Sequence, residues 1–309
     1  MAEHSEAKFV FLEDTKQLDK YLTFYKDLPK LKGLVMWNAS LPSAKSNALT
    51  MEWETFVSHG KGLSKEDVEL RSSKVVPGQC VTLIYTSGTT GNPKAVMISH
   101  DNMIYESLVA MDTLFVSDAA VTLPLELRIV SSLPLSHVAA QMLDIATPIV
   151  ITGSAASGGG IFAKLAPHWY TTWFARPDAL KGTLKTTLVA ARPTAFLGVP
   201  RVWEKIRETL LEIGRKNTGF KKTIAAWAKR HAAAAAKERQ LGGSGATTVS
   251  YLLAKLVLSK IRAALGLDQC LFCATAAAPM PREVAEYFAS IGGLLATHTC
   301  PHACVPCMM

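Results

Sequence analysis

The run Tyr85-Thr86-Ser87-Gly88-Thr89-Thr90-Gly91-Asn92-Pro93-Lys94 puts two glycines, four aliphatic hydroxyls and a lysine into ten residues. Gly88 and Gly91 permit positive φ and close backbone approach, and Thr86, Ser87, Thr89 and Thr90 supply hydroxyl donors. Successive backbone N–H groups in such a turn form an anion-binding nest, and Lys94 adds a compact positive charge. The natural guest is a polyphosphate. The apolar residues 81–84 before it read as a buried strand, so the loop is expected to leave the edge of a sheet, where α/β proteins place their ligands. The P-loop of nucleotide triphosphatases is excluded, because it needs Gly-Lys-Ser/Thr running straight into a helix and here Pro93 stands between Gly91 and Lys94. The bland alternative is a surface turn rich in Gly, Thr and Pro.

A chain of 309 residues with 49% hydrophobic content can bury a substantial core, as one large domain or two closely packed lobes. The polar start Met1-Ala-Glu-His-Ser-Glu-Ala-Lys8 lacks the apolar segment of a secretory leader, and no run of about 18 apolar residues occurs. A cytoplasmic protein is therefore expected. The six cysteines crowd toward the C-terminus, Cys300, Cys304 and Cys307 among them, unlike a secreted disulfide framework.

The formal charge of +8 is local: residues 201–239 carry eleven Lys or Arg against four Glu, a net +7. Two uses stand open, contact with anionic lipid headgroups and a solvated helix face. Nucleic acid is not expected, since neither a recognised binding module nor an aromatic stacking array accompanies the charge.

Strand and helix alternate from the start, which predicts a parallel α/β architecture. Residues 9–12 read as a strand, followed by a helix from Thr15 with Leu18, Leu22 and Tyr25 on one face and Pro29 closing it. Residues 33–37 form a second apolar run, residues 51–59 a short helix, and Ser64-Lys-Glu-Asp67 opens another helix. Beyond the loop, residues 95–98 hairpin back, and His100-Asp-Asn102 caps a helix carrying Ile104, Leu108, Met111 and Phe115. A strand at 128–133 leads to Pro134-Leu-Ser-His137 and a helical pattern through Val138, Met142 and Ile145. His137 thus falls at a strand-to-helix junction, either as a ligand-facing group or as a helix-capping or surface histidine. Residues 155–172, with their Ser157-Gly-Gly-Gly160 run, read as a loop. Helices follow over 201–239, with stripes Val202/Ile206/Leu210/Ile213 and Phe220/Ile224/Trp227, and over 249–265, and a strand over 269–274 ends in Ala276-Ala277-Ala278-Pro279.

At the loop the chain resembles the adenylate-forming superfamily of acyl-CoA synthetases, luciferases and peptide-synthetase adenylation domains, whose phosphate loop reads Thr-Ser-Gly-Thr-Thr-Gly-x-Pro-Lys. Ala95 departs from the glycine usual after the lysine. Leu133-Pro-Leu-Ser-His-Val-Ala-Ala-Gln-Met-Leu-Asp-Ile145, Phe174-Ala-Arg-Pro-Asp-Ala-Leu-Lys-Gly-Thr-Leu184 and Arg192-Pro-Thr-Ala-Phe-Leu-Gly-Val-Pro-Arg-Val-Trp-Glu-Lys205 are similar to the bubblegum-type long-chain acyl-CoA synthetases. The likeness runs from about Val76 to about Leu295. It implies part of the large N-terminal α/β domain, with mixed sheets flanked by helices and without the C-terminal lid. On this basis residues 1–295 form a partial AMP-binding domain and residues 296–309 a divergent, unstructured Cys-rich tail.

The resemblance also implies the chemistry. A fatty carboxylate attacks the α-phosphorus of ATP, pyrophosphate leaves, and the thiol of CoA then displaces AMP from the acyl-adenylate. Lys94 and His137 would be the catalytic residues, His137 beside the acyl carboxylate. Thr86, Ser87, Gly88, Thr89, Thr90, Gly91 and Lys94 would hold the phosphates. Ala276, Ala277, Ala278 and Pro279 would pack flat on adenine, with Ala276 in place of the family's glycine. ATP, Mg²⁺ and CoA are the implied cofactors and co-substrates, a long-chain fatty acid the substrate, and the endoplasmic reticulum or another internal membrane the surface for peripheral contact. The family's Tyr-Gly-x-Ser/Thr-Glu motif, with its metal-binding glutamate, has no counterpart. A non-catalytic nucleotide- or lipid-binding fragment is thus the competing reading, and the 309-residue chain as written is expected not to complete acyl-CoA synthesis. Cys300-x-x-x-Cys304-x-x-Cys307, near His298 and His302, has iron–sulfur ligand spacing, but its place in the tail favours an unstructured end.

Overall fold

The computed structural model describes residues 1–86, 93–112, 124–157, 169–216, 218–241, 243, 249–275 and 278–292. The chain divides into two compact units, Met1–Asn102 and Met103–Met309.

The first unit is built on a parallel three-stranded sheet in the order β1 (Phe9–Leu12), β2 (Gly33–Met36), β3 (Thr50–Glu52). Central β2 is buried along its whole length, as an apolar run between two partners must be. Helix α1 (Thr15–Phe24) starts where the Asp14 carboxylate accepts the Gln17 N–H at 2.7 Å, and it lays Leu18 against Leu12, Leu28, Leu34 and Met36. Tyr25, expected to extend that face, lies past the helix end in a 3₁₀ turn and only flanks the core. The helix expected over 51–59 begins later, as α2 (Trp53–Ser58), because Thr50, Met51 and Glu52 pair with Leu34, Val35 and Met36 as β3. Strand pairing outweighs local helical preference there. Helix α3 (Lys65–Ser72) starts at the expected residues: Ser64 and Asp67 form a reciprocal capping box.

Strands β4 (Cys80–Thr86) and β5 (Lys94–Ser99) form an antiparallel ribbon of two strands. The residues expected to be a buried strand at a sheet edge are strand, but not buried. Val81 is 44% exposed and Leu83 and Ile84 half-buried, because among the described residues the ribbon has no third strand. Helix α4 (His100–Met111) is capped by Ser99 rather than by His100. Ser99 Oγ accepts the Asn102 N–H at 3.1 Å while Asn102 Oδ1 accepts the Ser99 N–H at 3.1 Å. Phe115, expected on its face, lies outside the described residues.

The second unit holds a parallel four-stranded sheet in the order β7 (Trp169–Phe174), β6 (Glu126–Ser131), β8 (Ala195–Gly198), β9 (Phe272–Thr275). β7 corrects the loop expected over 155–172: Trp-Tyr-Thr-Thr-Trp-Phe is β-branched and aromatic throughout and pairs with the whole of β6. The start of the same stretch is the end of α6 (Thr147–Ser157). β9 begins three residues later than expected, Gln269 to Leu271 forming the turn that enters it.

Helices α7 (Leu184–Ala191), α8 (Pro200–Arg215), α9 (Gly219–Gln240), α10 (Val249–Leu265) and α11 (Arg282–Ser290) complete the core with Phe196, Trp203, Leu258 and Phe288. The Val202/Ile206/Leu210 stripe of α8 faces this core, but Ile213 is exposed. In α9 the buried stripe is Ala228, Ala232 and Ala235, whereas Phe220 is 81% exposed. Small residues let α9 lie close against α10 and α11, a pattern hidden behind the larger side chains of the expected stripe.

Candidate functional site

The hairpin brings Thr86 and Lys94 together as its last described pair, opposite one another where the chain enters and leaves the loop. The Thr86 hydroxyl donates to the Lys94 carbonyl at 3.5 Å, and Tyr85 OH is 2.9 Å from His4 Nδ1. The Lys94 side chain is exposed and has no carboxylate partner among the described residues. Ser87, Gly88, Thr89, Thr90 and Gly91 lie outside the described residues.

In the second unit the parallel strands all end on one edge, and two of the expected segments emerge there: His137 after β6, and Ala278 and Pro279 after β9. Ala278 and Pro279 are exposed, and Ala276 and Ala277 lie outside the described residues. The end of β9 is fastened by Trp203, whose Nε1–H donates to the carbonyls of Gly198 on β8 at 3.0 Å and Ala274 on β9 at 3.1 Å.

His137 is exposed and caps the short helix α5 (Val138–Ala140), its Nδ1 accepting the Ala139 N–H at 3.1 Å. That bond assigns the ring proton to Nε2, which leaves a donor directed away from the helix. Capping thus occupies Nδ1 and leaves Nε2 out of the helix-end bond.

A feature that the sequence reading missed follows at once. Gln141 to Ala146 form a π-helical turn, and Asp144 on it is only 7% exposed. The wider turn is held from β7: Tyr170 OH donates to the Leu143 carbonyl at 3.1 Å and Thr172 Oγ1 to the Asp144 carbonyl at 3.1 Å. Asp144 borders a small cleft, with room for about one water, together with Ile129, Val130, Ser132, Leu133, Ala140, Leu143 and Leu197. Burial pushes its pKa up to about 6, against a hydrogen bond from Ser131 that lowers it. The cleft therefore carries a neutral carboxylic acid in mildly acidic solution and an anion above it. A π turn inside a helix is a known mark of functional positions, but no periodicity in the sequence announces one.

The basic segment is partly spent on structure. Arg201 pairs with Glu204 and Arg207 with Glu283, both at 2.9 Å, and Lys229 Nζ lies 4.7 Å from the Tyr287 ring centre, where burial lowers its pKa. Arg215, Lys216, Lys221 and Lys222, around the exposed Phe220, are exposed and without a carboxylate partner among the described residues. No described helix is long and apolar enough to cross a membrane.

Long-chain-fatty-acid–CoA ligase ACSBG2 from Xenopus laevis is 40% identical over 292 residues, which are 94% of this chain and 36% of that protein. The human ligase of the same name is 38% identical over 93% of this chain and 40% of its own length. The chain thus spans little more than a third of the relatives it matches, and the likeness takes in the opening residues ahead of Val76 as well. The solved A domain of a carboxylic acid reductase from Segniliparus rugosus, in complex with AMP and a carboxylic acid, shares the fold with a TM-score of 0.53 at 18% identity, over 95% of this chain and 41% of that one. Residues 1–306 match the family described as AMP-binding enzyme, and the chain belongs to that family.

Proposed function

We propose that the chain is the nucleotide- and acyl-activating part of a long-chain fatty acid–CoA ligase. The observation that carries this reading is its identity of 38–40%, over more than nine-tenths of its length, to ligases of that specificity. The bound carboxylate is the nucleophile: its oxygen bonds to the α-phosphorus of ATP as the bond to pyrophosphate breaks, and the thiol of CoA then displaces AMP. No enzyme nucleophile is required, so the protein contributes alignment of two anions and neutralisation of the charge developing on the phosphates.

In this reading Lys94 and the hydroxyls and amides of residues 86–91 hold the phosphates, Ala276 to Pro279 lie against adenine, and His137 presents Nε2–H to the acyl carboxylate. Among the described residues no three His, Cys, Asp or Glu side chains converge as a metal cage. Mg²⁺ in nucleotide sites is held largely by substrate phosphates, and no step here is assigned to it. The test is incubation of the protein carrying this chain with palmitate, ATP, Mg²⁺ and CoA, with mass spectrometry of the products. Palmitoyl-adenylate and palmitoyl-CoA are expected when the chain is joined to the remaining length of such a ligase, and no palmitoyl-CoA from the 309 residues by themselves. ATP binding with neither product would make the chain a binding module instead.

The unpaired cations of α8 and α9 supply the contact with an anionic internal membrane, such as the endoplasmic reticulum, at roughly 1 kcal/mol per Lys or Arg near the surface. Sedimentation with phosphatidylserine vesicles should exceed that with neutral vesicles and fall as salt shortens the Debye length. Equal sedimentation with both would leave these side chains as a solvated face.

A further inference from the structure

We infer that Cys270 and Cys273 form a redox-active dithiol, which a peroxide closes to an intramolecular disulfide. The two Sγ atoms lie 3.2 Å apart, and the thiols form a chain in which Cys273 donates to Cys270 Sγ and Cys270 donates to the Phe272 carbonyl at 3.0 Å. A disulfide requires about 2.05 Å, so closure moves the sulfurs together by roughly 1.2 Å. Buried cysteines are often no more than small apolar side chains. Here the two touch each other and differ in how they are held. Cys273 is fixed on β9 in register with Phe196 of β8. Cys270 lies instead in the turn between α10 and β9, where its N–H bonds to the Leu267 carbonyl at 3.3 Å and its own carbonyl accepts from Arg262 at 2.8 Å. Exposed Gln269 and Leu271 flank it, so opening of this turn brings Cys270 to solvent while Cys273 stays on the strand. Both the hydrogen bond to Cys270 and burial hold the Cys273 thiol protonated, which suits it to be the second partner rather than the first attacker.

The atoms balance with one peroxide. Deprotonated Cys270 attacks a peroxide oxygen, the O–O bond breaks, and the departing hydroxide takes up a proton as water, leaving a sulfenic acid. The Cys273 sulfur then bonds to the Cys270 sulfur, its proton leaving with the sulfenic oxygen as a second water. Tryptic cleavage after Arg262 and Arg282 isolates residues 263–282, which contain these two cysteines and no other. After peroxide treatment, unfolding and alkylation, this peptide is expected to carry no label and to be two hydrogens lighter than its reduced form, and a reductant should restore two labels. Cys270→Ser should leave Cys273 to take one label, whereas Cys273→Ser should leave Cys270 oxidised to a sulfenic acid that takes no thiol label until it is reduced, and the wild-type result stands by itself should either variant misfold. Cys80, which is exposed, serves as the internal control. If the peptide still takes two labels when Cys80 is fully oxidised, or is found joined to another cysteine, the inference fails.

Discussion

Trp203→Ala should destabilise the second unit by about 3–5 kcal/mol, the range for removing a large aromatic from a packed core. Trp203 is fully buried, and it meets Phe196 and Phe288 edge-on with ring centres 5.3 Å and 5.0 Å away. Part of the loss is polar, because one indole N–H serves the carbonyls that close β8 and β9. Trp203→Phe separates the two contributions. It keeps most of the apolar volume but removes the donor, and should cost about 1–3 kcal/mol. Gly198 is matched to this arrangement: a Cβ there would meet the indole Nε1 at 3.0 Å. Urea denaturation of the three proteins gives the comparison, and a Trp203→Ala midpoint indistinguishable from wild type would show that the ring is not the fastening of these strand ends.

What the sequence made legible, and what it hid, divides along the range of the interactions involved. Helix starts set by neighbouring residues were readable, as Ser64 with Asp67 at α3 shows. So was the strand that hairpins back after the loop, paired as β5 with β4. Features decided by distant residues were not. β3 exists because β2 pairs with it, and the π turn at 141–146 is held by hydroxyls contributed from β7, some 27 and 28 residues away in sequence. β7 itself was obscured because it follows a glycine run and matches no strong motif, although its six residues favour a strand on propensity alone. The exposure of β4 marks the opposite error. An apolar run by itself points to burial, yet a two-stranded ribbon has two faces to cover and no third strand among the described residues.

Lys94→Ala should weaken ATP binding by about 1.5–3 kcal/mol while leaving the fold intact, the loss of one charge-assisted contact to phosphate. That corresponds to roughly a 10- to 150-fold rise in Kd. The fold should survive because the Lys94 side chain is exposed and unpaired among the described residues, and the bond that ties the hairpin mouth runs to its backbone carbonyl, which alanine retains. The contact is between a compact cation and a multiply charged anion, so wild-type affinity should fall with added salt more steeply than that of the variant. Lys94→Arg keeps the charge on a broader planar group and should recover part of the affinity, whereas Lys94→Gln, which keeps most of the length without the charge, should not. Calorimetric titration of ATP at two ionic strengths measures all four proteins, with thermal unfolding as the check on folding. A folded Lys94→Ala protein that binds ATP as tightly as wild type, with the same salt dependence, would remove Lys94 from the phosphate site and leave the hydroxyls and amides of the loop to hold the nucleotide alone.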